Sequence, residues 1–204
     1  MDRLIYTAMT GASQAFTRQA GVANNLANAS TTGFRAMEHR FRAVPVQGPG
    51  APTRAFVADA SVANVFDQGP LMATGRPLDV AVQGAGWIAV EGPNGTEAYT
   101  RAGNLQVNVN GQLQTASGLN VLGDGGPIAI PPEQKVEVGE DGTISIRAMG
   151  EGPRVMAQVD RIKLVQPDLK TMSKGLDGLI HTANGQPAPF DANVRVTSGF
   201  LEAS

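Results

Sequence analysis

The residues able to carry chemistry are few and scattered. His39 lies in "MEHRFR", between Glu38 and Arg40, and His181 lies in "LIHTANG". A metal centre needs ligands that converge, and two isolated histidines in unlike contexts predict none. The chain has no cysteine, which removes thiolate zinc sites, cysteine nucleophiles and disulfides. No strand-turn-helix nucleophile elbow is present. "GDGG" at Gly123 to Gly126 lacks the lysine and following helix of a phosphate loop. "GEDG" at Gly139 to Gly142 lacks the alternating carboxylates of a calcium loop. Both read as hairpin turns. "QGAGW" at Gln83 to Trp87 has neither the spacing nor the helix of a dinucleotide fingerprint. Asp124, Glu133, Glu137, Glu140, Asp141 and Glu151 outnumber Lys135 and Arg147 in their stretch, but no spacing singles out an acid/base pair. That stretch reads as a solvated face. No catalytic, cofactor-binding or metal-binding residue is expected, and no cofactor; the chain does not read as an enzyme.

Charge and hydropathy narrow the partners. The net charge is −2, so no global basic field attracts nucleic acid. Arg35, Arg40, Arg42 and Arg54 form a local cluster, read as solvated or facing a protein partner. No apolar run approaches the length of a membrane span, so no membrane insertion is expected. "MDRLIYTAMTGASQAF" lacks a cationic region followed by a continuous apolar block, which predicts no cleaved signal peptide. An exported protein of this kind needs another route.

Only certain elements could position such residues. Leu4, Ala8, Ala12, Ala15, Gln19, Val22 and Leu26 are spaced by three or four and define one helix face, widened by Ile5, Met9 and Phe16. Gly11 and Gly21 each weaken that helix by about 1 kcal/mol. A lone helix of this length is marginal in water, so packing must hold it. Two readings stay open: a core helix of this chain, or a helix reserved for neighbouring subunits. At its end stand Asn24, Asn25 and Asn28, which together cost about 2 kcal/mol against alanine. Thr31, Thr32 and Gly33 then let the chain leave the helix through a residue that tolerates positive φ. The stretch reads as a helix-to-loop joint, with side-chain amides bonded to free carbonyls and Phe34 as anchor.

Residues 36–77 read as an extended connector, with "PVQGPGAPTR" as its most broken part. Residues 78–166 read as strands. Leu78, Val80 and Val82 alternate, as do Leu105, Val107 and Val109. Asn94-Gly95, Asn110-Gly111 and Asp141-Gly142 sit between β-prone runs and predict tight hairpins. A slip in "RVMAQVDRIKLV" predicts a bulge near Asp160. With 5% aromatic residues, the core must be aliphatic. Residues 167–204 read as a return segment, with turns at Asp177-Gly178 and Asn184-Gly185 and a final extended piece. The fold expected is mainly β with an N-terminal α-helix: a small antiparallel barrel or sandwich-like domain plus an elongated stalk of helix and extended segments. Residues 1–35 form the assembly helix and joint.

These motifs, in this order, resemble the axial proteins of the bacterial flagellum. "NNLANASTTGFR" (Asn24 to Arg35) resembles the N-terminal signature of rod and hook proteins. "GPLMATGRPLDVAVQGAGWIAV" (Gly69 to Val90) is similar to the stretch that opens their β domain, and "YTRAGNLQVNVNGQL" (Tyr99 to Leu113) to the hairpin after it. "SGFLEAS" (Ser198 to Ser204) resembles the segment entering their C-terminal helix, which this sequence does not reach. "MDRLIYTAMTGASQ", "FRAVPV", "GDGGPIAIP" and "RIKLVQPD" bring it closest to proximal-rod members, with distal rod or hook as the alternative.

The resemblance implies a structural subunit, exported by the flagellar type III apparatus without a cleaved signal and built into a periplasmic rod that transmits torque to the hook. It implies packing against copies of itself and other rod proteins through Leu4, Ile5, Ala8, Ala12, Ala15, Phe16, Val22 and Leu26. It implies a joint at Asn24, Asn25, Asn28, Thr32, Gly33 and Phe34. A contrasting reading, a secreted glycan-binding or enzymatic β domain, would need exposed aromatics or convergent carboxylates, with Trp87 as the sole tryptophan to offer.

Overall fold

In the computed structural model, residues 4–45, 55–64, 66–150, 155–175 and 177–204 are described, the side chains of Leu4, His39, residues 59–64 and Gln134 excepted. The expectations for Arg54, Glu151 and most of "PVQGPGAPTR" fall outside these. Two compact units emerge. The first comprises the described residues up to Ser30 and from Arg35 to Phe66; the second comprises Thr31–Phe34 and Asp67–Ser204.

The first unit is a helix on a hairpin. Helix α1 (Leu4–Ala27) lies against strand β2 (Ala55–Asn64) and, less extensively, β1 (Met37–Pro45). β1 and β2 pair antiparallel from Met37 opposite Asn64 to Pro45 opposite Ala55, with a register shift between Arg40 and Phe41. The stretch read as a connector with short extended pieces therefore contains two long paired strands. Their sequences hide this, because polar His39 stands where the alternation of Met37 and Phe41 with Glu38, Arg40 and Arg42 calls for an apolar residue, and no Asn-Gly or Asp-Gly turn joins the pair.

The second unit is built from antiparallel strands, with one short 3-10 turn at Leu169–Thr171. Its strands begin with β3 (Leu71–Ala73), β4 (Val80–Gln83), β5 (Trp87–Glu91), β6 (Glu97–Thr100), β7 (Leu105–Val107), β8 (Leu113–Thr115), β9 (Leu122–Gly123) and β10 (Gly126–Pro127). They continue with β11 (Glu133–Val138), β12 (Thr143–Ala148), β13 (Ala157–Arg161), β14 (Leu164–Val165), β15 (Met172–Lys174), β16 (Ile180–Thr182), β17 (Arg195–Ser198) and β18 (Phe200–Glu202). Hairpins β5–β6, β7–β8 and β11–β12 turn at the expected pairs, with Gly95, Gly111 and Gly142 at positive φ. Between Ile144 and Ser145 the β12–β13 register skips Val159, which is the expected bulge near Asp160.

The largest sheet runs β14-β5-β6-β16-β15 and stays open. The β domain is thus a set of small packed antiparallel sheets; among the described residues no closed barrel forms. β17 and β18 return from the C-terminal end to pair with β4 and β3. In β4, Ala81 is buried along with Val80 and Val82, so this strand is covered on both faces where alternation predicted one. The core is aliphatic, with Val80, Ile88, Leu105, Leu113, Ile128 and Ile144 sealed from solvent.

Candidate assembly surface and joint

In the first unit, α1 meets its hairpin with an unexpected face. Its least exposed positions include Thr7, Thr10, Gln14, Thr17, Gly21 and Asn25, a stripe of small and polar residues spaced by three or four. Thr10 and Thr17 turn their hydroxyls onto the carbonyls of Thr7 and Ser13, at 2.8 and 3.2 Å. The apolar face lies on the other side. Ile5, Phe16 and Leu26 are 70%, 71% and 75% exposed, and Ala8, Ala12, Ala15 and Val22 are exposed with them. Tyr6 and Met9 extend the patch; Tyr6 lies off the sequence-derived face and was not among its residues. Within its own unit, α1 is therefore not a core helix.

The asparagines act at the helix end. Asn28 is bound to the Asn24 carbonyl twice, donating from its backbone N–H at 3.2 Å and from its side-chain amide at 2.9 Å. Asn25 uses both ends of its amide on one residue: Nδ2 donates to the Met37 carbonyl at 3.0 Å, and Oδ1 accepts from the Met37 N–H at 3.2 Å. That side chain mimics a backbone partner for the first residue of β1. The Asn24 side chain itself is exposed.

In the second unit, Thr31–Phe34 is seated among strands distant in sequence. Phe34 N–H donates to the Thr31 carbonyl at 3.2 Å, closing a turn through half-buried Thr32. Gly33, at φ 65°, donates its N–H to the Glu202 carbonyl at 2.9 Å. A Cβ on Gly33 would lie 2.3 Å from the Arg101 carbonyl carbon, closer than any side chain tolerates. Lys174 Nζ stands 3.8 Å from the centre of the Phe34 ring, a cation–π contact, and burial holds its pKa below the ordinary lysine value.

The remaining candidates for chemistry do not converge. Among the described residues, no cluster of His, Asp or Glu is placed to hold a metal. His181 Nε2 pairs with Asp177 Oδ2 at 2.9 Å within one turn. "GDGG" joins β9 to β10 and "GEDG" joins β11 to β12, both as hairpin turns. Trp87 is buried with the Arg101 guanidinium 5.3 Å from its ring centre, so this side chain offers no platform for a glycan. Arg40 and Arg42 are exposed, whereas Arg35 is buried, so the arginine cluster does not form one surface.

Residues 5–35, covering the helix and the joint, match the family described as flagella basal body rod protein. Residues 81–146, most of the β core, match the flagellar hook protein FlgE/F/G D1 domain. The chain is 44% identical to the flagellar basal-body rod protein FlgF of Salmonella typhimurium and 43% identical to that of Escherichia coli; each alignment takes in all of this chain and 83% of the relative. The chain belongs to the FlgF family of flagellar basal-body rod proteins. FlgG of Agrobacterium fabrum is more distant, 33% identical over 71% of this chain and 61% of its own. The FlgF family is a structural one of the flagellar basal body. Both regions that the family matches coincide with features described above, the outward-facing helix and the packed strands.

Arg101 and Glu202, whose side chains pair in the core of the second unit, carry no mark of that role in the sequence. Both lie inside quoted motifs, but a separation of 101 residues leaves no spacing signal to join them.

Proposed function

We propose that this chain is a structural subunit of the proximal part of the flagellar rod, held in place by the apolar face of α1. Neighbouring subunits, copies of itself and other rod proteins, cover Ile5, Ala8, Ala12, Ala15, Phe16, Val22 and Leu26. The observation that carries this reading is the orientation of α1: a Thr/Gly/Gln stripe turned to its own hairpin, and the apolar stripe turned outward. Each large apolar side chain covered on assembly contributes about 1.5–3 kcal/mol. Contacts that are heterologous and do not close on themselves give a filament, the form a torque-bearing shaft requires. The type III apparatus delivers the subunit to the periplasm with no cleaved signal, and the Asn24, Asn25 and Asn28 joint sets the chain's exit from the packed helix.

The test replaces Phe16 and Leu26 together by aspartate in a strain lacking its own FlgF. The expected result is a folded, exported protein absent from purified basal bodies, with motility lost. Wild-type motility with the variant present in basal bodies would overturn the proposal.

A further inference from the structure

Arg101 and Glu202 are 2% and 0% exposed, and Arg101 Nη1 donates to Glu202 Oε2 at 3.0 Å. The other carboxylate oxygen accepts from the Gly69 N–H at 2.8 Å, and Arg101 Nη2 donates to the Gly84 carbonyl. The backbones of the same two residues grip Gly33. The Glu202 carbonyl accepts its N–H, and the Arg101 carbonyl packs where its Cβ would be. One residue further on, Ala203 N–H donates to the Pro70 carbonyl at 2.9 Å. A buried ion pair is a weak source of net stability, but removing one partner strands the other charge, so its presence fixes one arrangement. Here that arrangement joins the segment after the N-terminal helix to the last strand.

We infer that the Arg101–Glu202 pair is a latch that couples the order of Thr31–Phe34 to the docking of β18. Glu202 anchors β18 with its side chain and holds Gly33 with its backbone, so displacing the strand withdraws the acceptor from Gly33. Displacing Gly33 in turn disturbs the residue that anchors the strand. Coupling of this kind is reciprocal. The latch therefore makes the exits toward both ends of the chain one cooperative element within the second unit.

NMR-detected hydrogen exchange on the full 204-residue chain tests it, with the amides of Gly33 and Ala203 as reporters and that of Ile128 as the core reference. In Glu202→Gln, Gly33 and Ala203 are expected to exchange about a hundredfold faster, with Ile128 changed by less than about threefold. Gly33→Ala approaches from the other side and is expected to speed exchange at Ala203 by at least about tenfold. A Gly33 amide that stays protected in Glu202→Gln, or an Ala203 amide unmoved by Gly33→Ala, overturns the latch. If Glu202→Gln also loses protection at Ile128, the Gly33→Ala arm decides alone. Loss of Ile128 protection in both variants overturns it too, because the pair then acts on the whole core.

Discussion

Tyr99 shows how much a single buried hydroxyl is asked to do. It donates to Glu97 Oε1 at 2.8 Å and accepts from the Ala188 N–H at 2.7 Å, and burial pushes its pKa above the ordinary phenol value. Tyr99→Phe leaves the buried Ala188 N–H without that acceptor, so a loss of about 1–3 kcal/mol is expected in urea denaturation. Asp141 works at the surface. The Thr143 hydroxyl, the Thr143 N–H and nearby Arg161 all hold its pKa below the usual carboxylate value. A carboxyl with a depressed folded pKa stabilises the fold above its unfolded value of about 3.9, and that contribution fades as pH falls through the folded value. Asp141→Asn should therefore melt below the unmodified protein at about pH 6, with the gap closing on acidification toward about pH 2. A constant gap would show that the charge is irrelevant. At this scale the sequence was readable where chemistry is local, as at Asp141-Gly142. It was silent on Arg101 and Glu202, because a pair made only by tertiary folding has no periodicity.

At the scale of elements, the same division recurs. The hairpins at Gly95, Gly111 and Gly142 and the bulge at Val159 were legible, since turn geometry and strand register follow from adjacent residues. The β1–β2 hairpin was not, because its long connection carries Pro and Gly and no compact turn pair. The apolar face of α1 was visible, but not its direction: a stripe that faces a core and a stripe that awaits a partner have the same period. What decides is the opposite stripe of small and polar residues, Thr7, Thr10, Gln14, Thr17 and Gly21, which is the less exposed side of the helix. Asn25 ties the two parts of this unit. Asn25→Ala removes both bonds to Met37 and is expected to destabilise the helix and hairpin by about 1–2 kcal/mol, read as faster exchange at the Met37 amide. Asn24 faces solvent, so Asn24→Ala should raise helicity in circular dichroism while impairing incorporation into rods. Normal incorporation would remove Asn24 from the joint's role in assembly.

For the whole molecule, the FlgF family and the exposed face of α1 lead to the same conclusion by separate routes. Ordered motifs made the family readable in the sequence; the exposure of the helix required the structure. In the assembly we propose, neighbours complete the exposed face of α1, so the cost of leaving that apolar face in water is relieved on assembly. Because the chain has no cysteine, single reporters can be placed cleanly. Ala8→Cys and Ala15→Cys put a thiol on the outward face with little change in volume. Maleimide labelling of each, in the free subunit and in purified basal bodies, tests whether neighbouring subunits cover the apolar face of α1. Fast labelling of the free subunit and protection in the basal body are expected; equal labelling in both would show that neighbours do not cover this face.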